Sequence, residues 1–139
     1  MPFLADADYT PHIKADQLAI LTGGSVPTRE TAERFAQATI ETHLRGRYDV
    51  VAIFAATGSA RSAEIVRYYI DLTLYELYSR INPQQIADLR VDRRNAAISW
   101  LRDVRDAKMS VDLPPTTAVT TIGLNYGSTV KFSQEYDRY

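Results

Sequence analysis

Cysteine is missing from all 139 positions. That excludes disulfides, thiolate nucleophiles and Cys-based zinc sites, and it fits a reducing compartment. Charge of one sign is missing too: 16 Lys and Arg stand against 17 Asp and Glu, a formal net charge of −1. No global attraction therefore draws the chain to nucleic acid or to an anionic membrane, and any such contact must come from a local patch. The longest apolar run, residues 50–56, is far short of the roughly 20 residues a membrane helix needs. The first eight residues contain Asp6 and Asp8 and no apolar run, unlike a signal peptide. The expectation is a soluble protein, cytoplasmic when made, with no membrane contact.

Catalytic and metal-binding patterns are equally scarce. The two histidines, His12 and His43, have no second ligand at metal spacing. His43 falls in the last turn of an expected helix, where the macrodipole favours it. Gly23-Gly24-Ser25 lacks the downstream Gly and Lys of a phosphate loop, and no serine has nucleophile-elbow context. Asp88 and Asp92 are spaced i, i+4, but Arg90, Arg93 and Arg94 lie among them, so a solvated mixed-charge face is expected rather than a cation site. These absences predict no enzyme, no cofactor and no metal.

What is present is helical periodicity. A hydrophobic fraction of 45% and a charged fraction of 24% are ordinary for one compact domain. Thr10-Pro11 reads as a helix start, giving a short helix over residues 11–21 that Gly23-Gly24 stops. A second helix is predicted from Thr28 to Gly46, with Ala32, Ala36, Ile40 and Leu44 as its stripe and Phe35 alongside. The β-branched linker, residues 49–59, reads as an apolar loop pinned to the core. A third helix, residues 60–81, is apolar over most of its circumference, as expected of a central helix or one covered by a neighbouring subunit. Asn82-Pro83 breaks it, and a fourth helix is predicted over residues 83–109. The fold class is all-α: about four helices in a small bundle, residues 1–109, followed by an extended C-terminal arm, residues 110–139, able to form β-structure at Ala118 to Leu124.

Three groups of side chains are candidates for contact with other molecules. Tyr68, Tyr69, Tyr75 and Tyr78 on the third helix combine apolar bodies with polar tips, which suits core and subunit interface. Tyr126, Phe132, Tyr136 and Tyr139 punctuate the arm and are expected to dock it on a partner. Arg90, Arg93 and Arg94 could contact phosphates or an acidic partner, and they support an alternative reading as a small DNA-binding or regulatory module.

The order of several short runs carries a resemblance. Leu21-Thr22 ends the first helix and Leu44-Arg45-Gly46-Arg47-Tyr48 the second. Leu74-Tyr75-Glu76-Leu77-Tyr78 ends the third, Ala97-Ile98-Ser99-Trp100-Leu101-Arg102-Asp103-Val104 lies in the fourth, and Lys108-Met109-Ser110-Val111 leads into the tail. From Tyr9 to Leu113 the chain resembles the Mu-like prophage family of small tailed-phage proteins associated with head–tail connectors. It departs where Asp106-Ala107 replaces the usual small residue plus Gly, and in the tail after Leu113. The resemblance implies a virion structural protein at the head–tail junction, assembled in the host cytoplasm. It implies a homo-oligomeric ring, commonly a dodecamer, beneath the portal protein. Further implied partners are a stopper or tail-completion protein and the packaged DNA passing through the channel.

Overall fold

Three long helices carry the fold of the computed structural model, which describes residues 2–116. They are α3 (Val26–Leu44), α5 (Ala63–Ile81) and α6 (Asp88–Arg105), preceded or joined by the shorter α1 (Asp6–Tyr9), α2 (Ala15–Thr22) and α4 (Val50–Ala55). The all-α expectation holds, with no strand among the described residues. Hydroxyl caps set two of the long starts: the Ser25 Oγ accepts the Thr28 N–H and the Ser62 Oγ accepts the Ile65 N–H, each at 3.3 Å. Pro27 fits the first turn of α3, where its missing N–H leaves no bond unmade. Two helices end alike. At the end of α2, Gly24 N donates to Ala19 O and Gly23 N to Ile20 O; at the end of α6, Lys108 N donates to Asp103 O and Ala107 N to Val104 O. Gly23 takes the left-handed conformation that this closure requires (φ 63°), and Ala107 takes it without being glycine (φ 59°).

The boundaries differ from the sequence expectation where tertiary burial outweighs local signals. Of the first predicted helix, residues 11–21, only the part from Ala15 is helical, in α2; α1 lies before the predicted start, and a turn separates the two. Asp8 caps α1 by accepting the Ala5 N–H, while Tyr9 and Ile13 both turn into the core and leave exposed Pro11 between them. The predicted loop over residues 49–59 contains α4 and a 3₁₀ turn at Gly58–Ala60. Asp49 accepts the Ala52 N–H at 3.1 Å, and Val50 and Ile53, one helical turn apart, are both buried. That cap and that spacing override the strand propensity of the valines. Residues 82–87 form a turn closed by the Gln85 N–H on Asn82 O, so the last helix starts at Asp88 rather than Pro83.

Helix α5 lies between α3 and α6 and runs antiparallel to both. Tyr69 bonds Gln37 of α3, Tyr68 stacks on Trp100 of α6, and Arg90 near the start of α6 reaches Tyr78 near the end of α5. Ile40, Leu44, Ile65, Ile70, Leu74, Leu77, Leu101 and Val104 fill the space between the three. Each such side chain stabilises the fold by roughly 1.5–3 kcal/mol relative to exposure. No helix among the described residues is long and apolar enough to cross a membrane.

The described part of the C-terminal region is packed on the bundle. Leu113 is buried, the Asp49 N–H donates to Pro114 O at 2.8 Å, and the Thr116 N–H donates to Arg47 O at 3.0 Å. Together these bonds make a single antiparallel bridge between Tyr48 and Pro115. In this pattern the Pro115 nitrogen faces away from the partner, so its missing N–H costs the bridge nothing and leaves the outer edge without a donor. The predicted strand at Ala118 to Leu124 and the arm residues Tyr126, Phe132, Tyr136 and Tyr139 lie outside the described residues.

Candidate functional site

The tyrosines and arginines singled out from sequence meet along the seam between α5 and α6. The Arg90 guanidinium stands 5.4 Å from the Tyr78 ring centre, that of Arg94 5.3 Å from Tyr75, and that of Arg67 5.5 Å from Tyr68. Tyr68 in turn packs on Trp100, ring centres 4.9 Å apart. The four tyrosines do not share one surface. Tyr68, Tyr75 and Tyr78 are half-buried at the seam, whereas Tyr69 is a core residue whose hydroxyl donates to Gln37 Oε1 at 3.0 Å. Burial raises the Tyr69 hydroxyl pKa. Arg90 also departs from the surface role: it is only 7% exposed, and its Nη2 donates to the His12 carbonyl at 3.1 Å. Arg93 and Arg94 remain half-exposed, so the trio does not form one free phosphate-reading face.

Beneath this seam sits a carboxylate invisible to sequence reading. Asp71 is 4% exposed, and its Oδ1 has no hydrogen-bond partner among the described residues. His12 Nδ1 lies 3.9 Å away, too far for a hydrogen bond. Desolvation raises the Asp71 pKa despite the positive field of His12, Arg93, Arg67 and Arg90. Desolvation also lowers the His12 pKa, against the pull of Asp71. Among the described residues no group of three metal-ligating side chains comes together.

A second feature missed from sequence is how the N-terminal segment, residues 2–22, is held. Arginines from four places in the bundle reach into it. Arg61 forks onto Asp8 with bonds of 2.7 and 3.0 Å and donates to Phe3 O at 2.9 Å. Arg29 pairs with Asp6 at 2.8 Å, Arg90 holds His12 O, and Arg80 approaches Leu21 O at 3.5 Å. The Arg61 hydrogen bonds hold the Asp8 carboxyl below its ordinary pKa. The Tyr9 hydroxyl donates to the buried Glu33 carboxylate, whose pKa desolvation raises. Around these polar contacts Leu4, Tyr9, Ile13 and Leu21 are buried, and Phe3 stacks against Tyr69 and edge-on to Phe54.

Large apolar side chains left in water fall into three places. Ile20, Val26, Ile81 and Leu89 cluster by position at the end of the bundle where α3 begins and α5 ends. Val51 and Met109 lie at the opposite end, beside the point where the chain reaches Thr116. Phe35 stands alone on the flank of α3, 59% exposed, between shallow hollows lined by Thr28, Thr31, Leu77 and Arg80 on one side and Ala38, Thr39, Thr42 and Glu76 on the other. Its place was readable: at 100° per residue Phe35 falls well off the Ala32, Ala36, Ile40, Leu44 stripe. Helix α5, expected to offer lateral apolar surface, instead spends it on α3 and α6.

No curated protein and no solved structure matches the chain. The profile of the family described as Bacteriophage Mu, Gp36 matches residues 6–125, from the first turn of α1 to past the end of the described fold. That span covers most of the 139 residues. The chain belongs to the bacteriophage Mu Gp36 family.

Proposed function

We propose that this phage protein is a head–tail adaptor subunit with no enzymatic activity. Copies would form a ring, twelve-fold by resemblance, beneath the portal protein, continue the DNA channel and receive a stopper or tail-completion protein below. The observation that carries this reading is the distribution of exposed apolar side chains at both ends of the bundle and at Phe35 on one flank. A subunit stacked between two different neighbours needs two unlike ends, and a ring member needs a side contact as well. The Glu33 carboxylate, whose pKa burial raises, is engaged by the Tyr9 hydroxyl within the fold, which favours a structural role.

The end that carries Val51 and Met109 is also the end from which the chain continues past Thr116. We place the partner of residues 117–139, the portal or a neighbouring subunit, on that side. The test is mass measurement of the full chain alone and mixed with its portal, repeated with a chain ending at Thr116. A portal complex that forms with the full chain and is lost on truncation supports the reading. No complex with the full chain would sink the adaptor role, and a complex unaffected by truncation would sink the role given to the arm.

A further inference from the structure

The N-terminal segment is attached to the bundle in an unusual way for a part of one core. Beside its buried Leu4, Tyr9, Ile13 and Leu21, it is fixed by a set of side-chain ion pairs and hydrogen bonds: Arg61 with Asp8, Arg29 with Asp6, Tyr9 with Glu33, and Arg90 with His12 O. Among the described residues, polar groups at this junction lack a hydrogen-bond partner, namely Asp71 Oδ1, one nitrogen of Arg90 and the Arg29 Nε. Each orphan is a cost that release of the segment would remove, since water would then reach it. A segment whose docking carries such costs opens more readily than the same segment with every polar group satisfied.

The connection to α3 is built to open. Gly23 and Gly24 are consecutive, both left-handed (φ 63° and 73°), and nothing lies within 4 Å of where a Cβ would stand on either. Glycine adopts extended backbone as readily as the left-handed form, so these two residues can convert the turn into straight chain without strain. Only Ser25 then separates them from α3.

We propose that residues 2–22 are an exchangeable strap, and that the groove it leaves on α3, α5 and α6 accepts the same segment of a second copy of this chain. The occupant follows from complementarity. Arg29, Arg61, Glu33 and Arg90 are arranged for Asp6, Asp8, the Tyr9 hydroxyl and the His12 carbonyl, and only another copy of the segment presents that set in that order. Exchange keeps the contacts between the segment and its groove and gives up only the closing bonds at the Gly23-Gly24 turn, which is a low-cost route to association between identical chains. It needs only a second copy and does not rest on the adaptor reading.

The chain's lack of cysteine makes the test clean. Ala7 of the strap and Ser59 of the bundle line one hollow beside the clamps, and both are exposed. Full-length Ala7→Cys chains are mixed with full-length Ser59→Cys chains at high concentration and treated with a short bis-maleimide. Exchange yields a covalent dimer containing one chain of each kind, in an amount that rises with concentration. Absence of that dimer at every concentration overturns the proposal. A side-by-side contact could bring the two sites together without exchange, so the double variant Ala7→Cys/Ser59→Cys is first cross-linked within single chains at low concentration. Locking the strap in this way should abolish the doubled mass seen by light scattering at high concentration. A locked chain that still doubles its mass would show that the interface lies elsewhere and would also overturn the proposal.

Discussion

Replacing Asp71 by Asn should make the protein more stable at neutral pH, although it removes a charged residue surrounded by arginines. The carboxylate is 4% exposed, its Oδ1 has no hydrogen-bond partner among the described residues, and the His12 ring, whose pKa burial lowers, stands 3.9 Å away. Leaving a buried polar group unsatisfied costs roughly 1–3 kcal/mol. An amide of nearly the same shape pays less to leave water than a carboxylate. A gain of about 1–2 kcal/mol at pH 7 is expected, which for a chain of this size is a rise in Tm of roughly 3–7 °C. The pH dependence supplies a second check. Burial lifts the folded-state pKa of Asp71 above its ordinary 3.8, so the folded state binds the proton more tightly than the unfolded one. The penalty on the parent chain is therefore full above the folded pKa, shrinks as pH falls through it, and is gone below about 3.8. The groups facing it are His12 from the turn before α2, Arg67 from its own helix, and Arg90 and Arg93 from α6. All remain in both proteins, so the difference between the two stability curves isolates the carboxyl. Urea unfolding of both at several pH values measures it. An Asn variant less stable by 1 kcal/mol or more at pH 7 would mean that the arginines hold the carboxylate well enough to outweigh its burial, and the reasoning would be refuted.

Four further outcomes are expected. Ala107→Gly should raise stability by about 0.5–1 kcal/mol, because the residue sits at φ 59° in the closure after α6, where a Cβ is penalised; an unchanged or lowered Tm would contradict this. A double-mutant cycle on Asp8 and Arg61 should give a coupling of roughly 1–3 kcal/mol at pH 7, as befits a forked, mostly buried pair. Since Asp8 titrates below its ordinary value in the folded chain, that coupling is complete above about pH 4 and lost as pH falls further. A chain ending at Thr116 should melt as the full chain does, whereas one ending at Met109 loses Leu113 and the Tyr48–Pro115 bridge and should lose about 2–4 kcal/mol by circular dichroism melting. Phe35→Ser should change folding stability by no more than about 0.5 kcal/mol, yet reduce the mass of any assembled species; a large loss of Tm would show that the ring is part of the core after all.

The long helices were legible because their signal is local and repeated. Ala32, Ala36, Ile40 and Leu44 in α3, and Ala97, Leu101 and Val104 in α6, follow helical spacing and are buried as that spacing implies. The near-continuous apolar character of α5 correctly placed it at the centre. What sequence could not give was anything set by contacts between distant positions. Arg61 and Asp8 are 53 residues apart, Arg90 and His12 78. Within Arg90-Val91-Asp92-Arg93-Arg94 nothing distinguishes the arginine that turns inward from the two that stay half-exposed. The same holds for Asp71, flanked by apolar residues on a helix that leaves a carboxylate no obvious partner. Residues 6–22 misled for another reason: Thr10-Pro11 is a good local start signal, yet the chain passes through a turn there and the helix starts only at Ala15.

The two halves of the fold are held by different forces. Helices α3, α5 and α6 are joined through side chains with no exposed surface, so separating them costs the full apolar area between them. The N-terminal segment adds to its buried Leu4, Tyr9, Ile13 and Leu21 a set of ion pairs and hydrogen bonds whose partners water can replace, and it ends in a glycine pair that imposes no direction on the chain. At the opposite end, the segment past Leu113 is held by two backbone bonds around a proline pair that offers no donor outward. A permanent core thus carries two attachments near its ends, each fixed by contacts that another chain could supply. For the adaptor role proposed above this arrangement has a physical use. A subunit that must be monodisperse before assembly and firmly linked after it gains most from contacts that satisfy themselves within one chain and can be satisfied equally well between two.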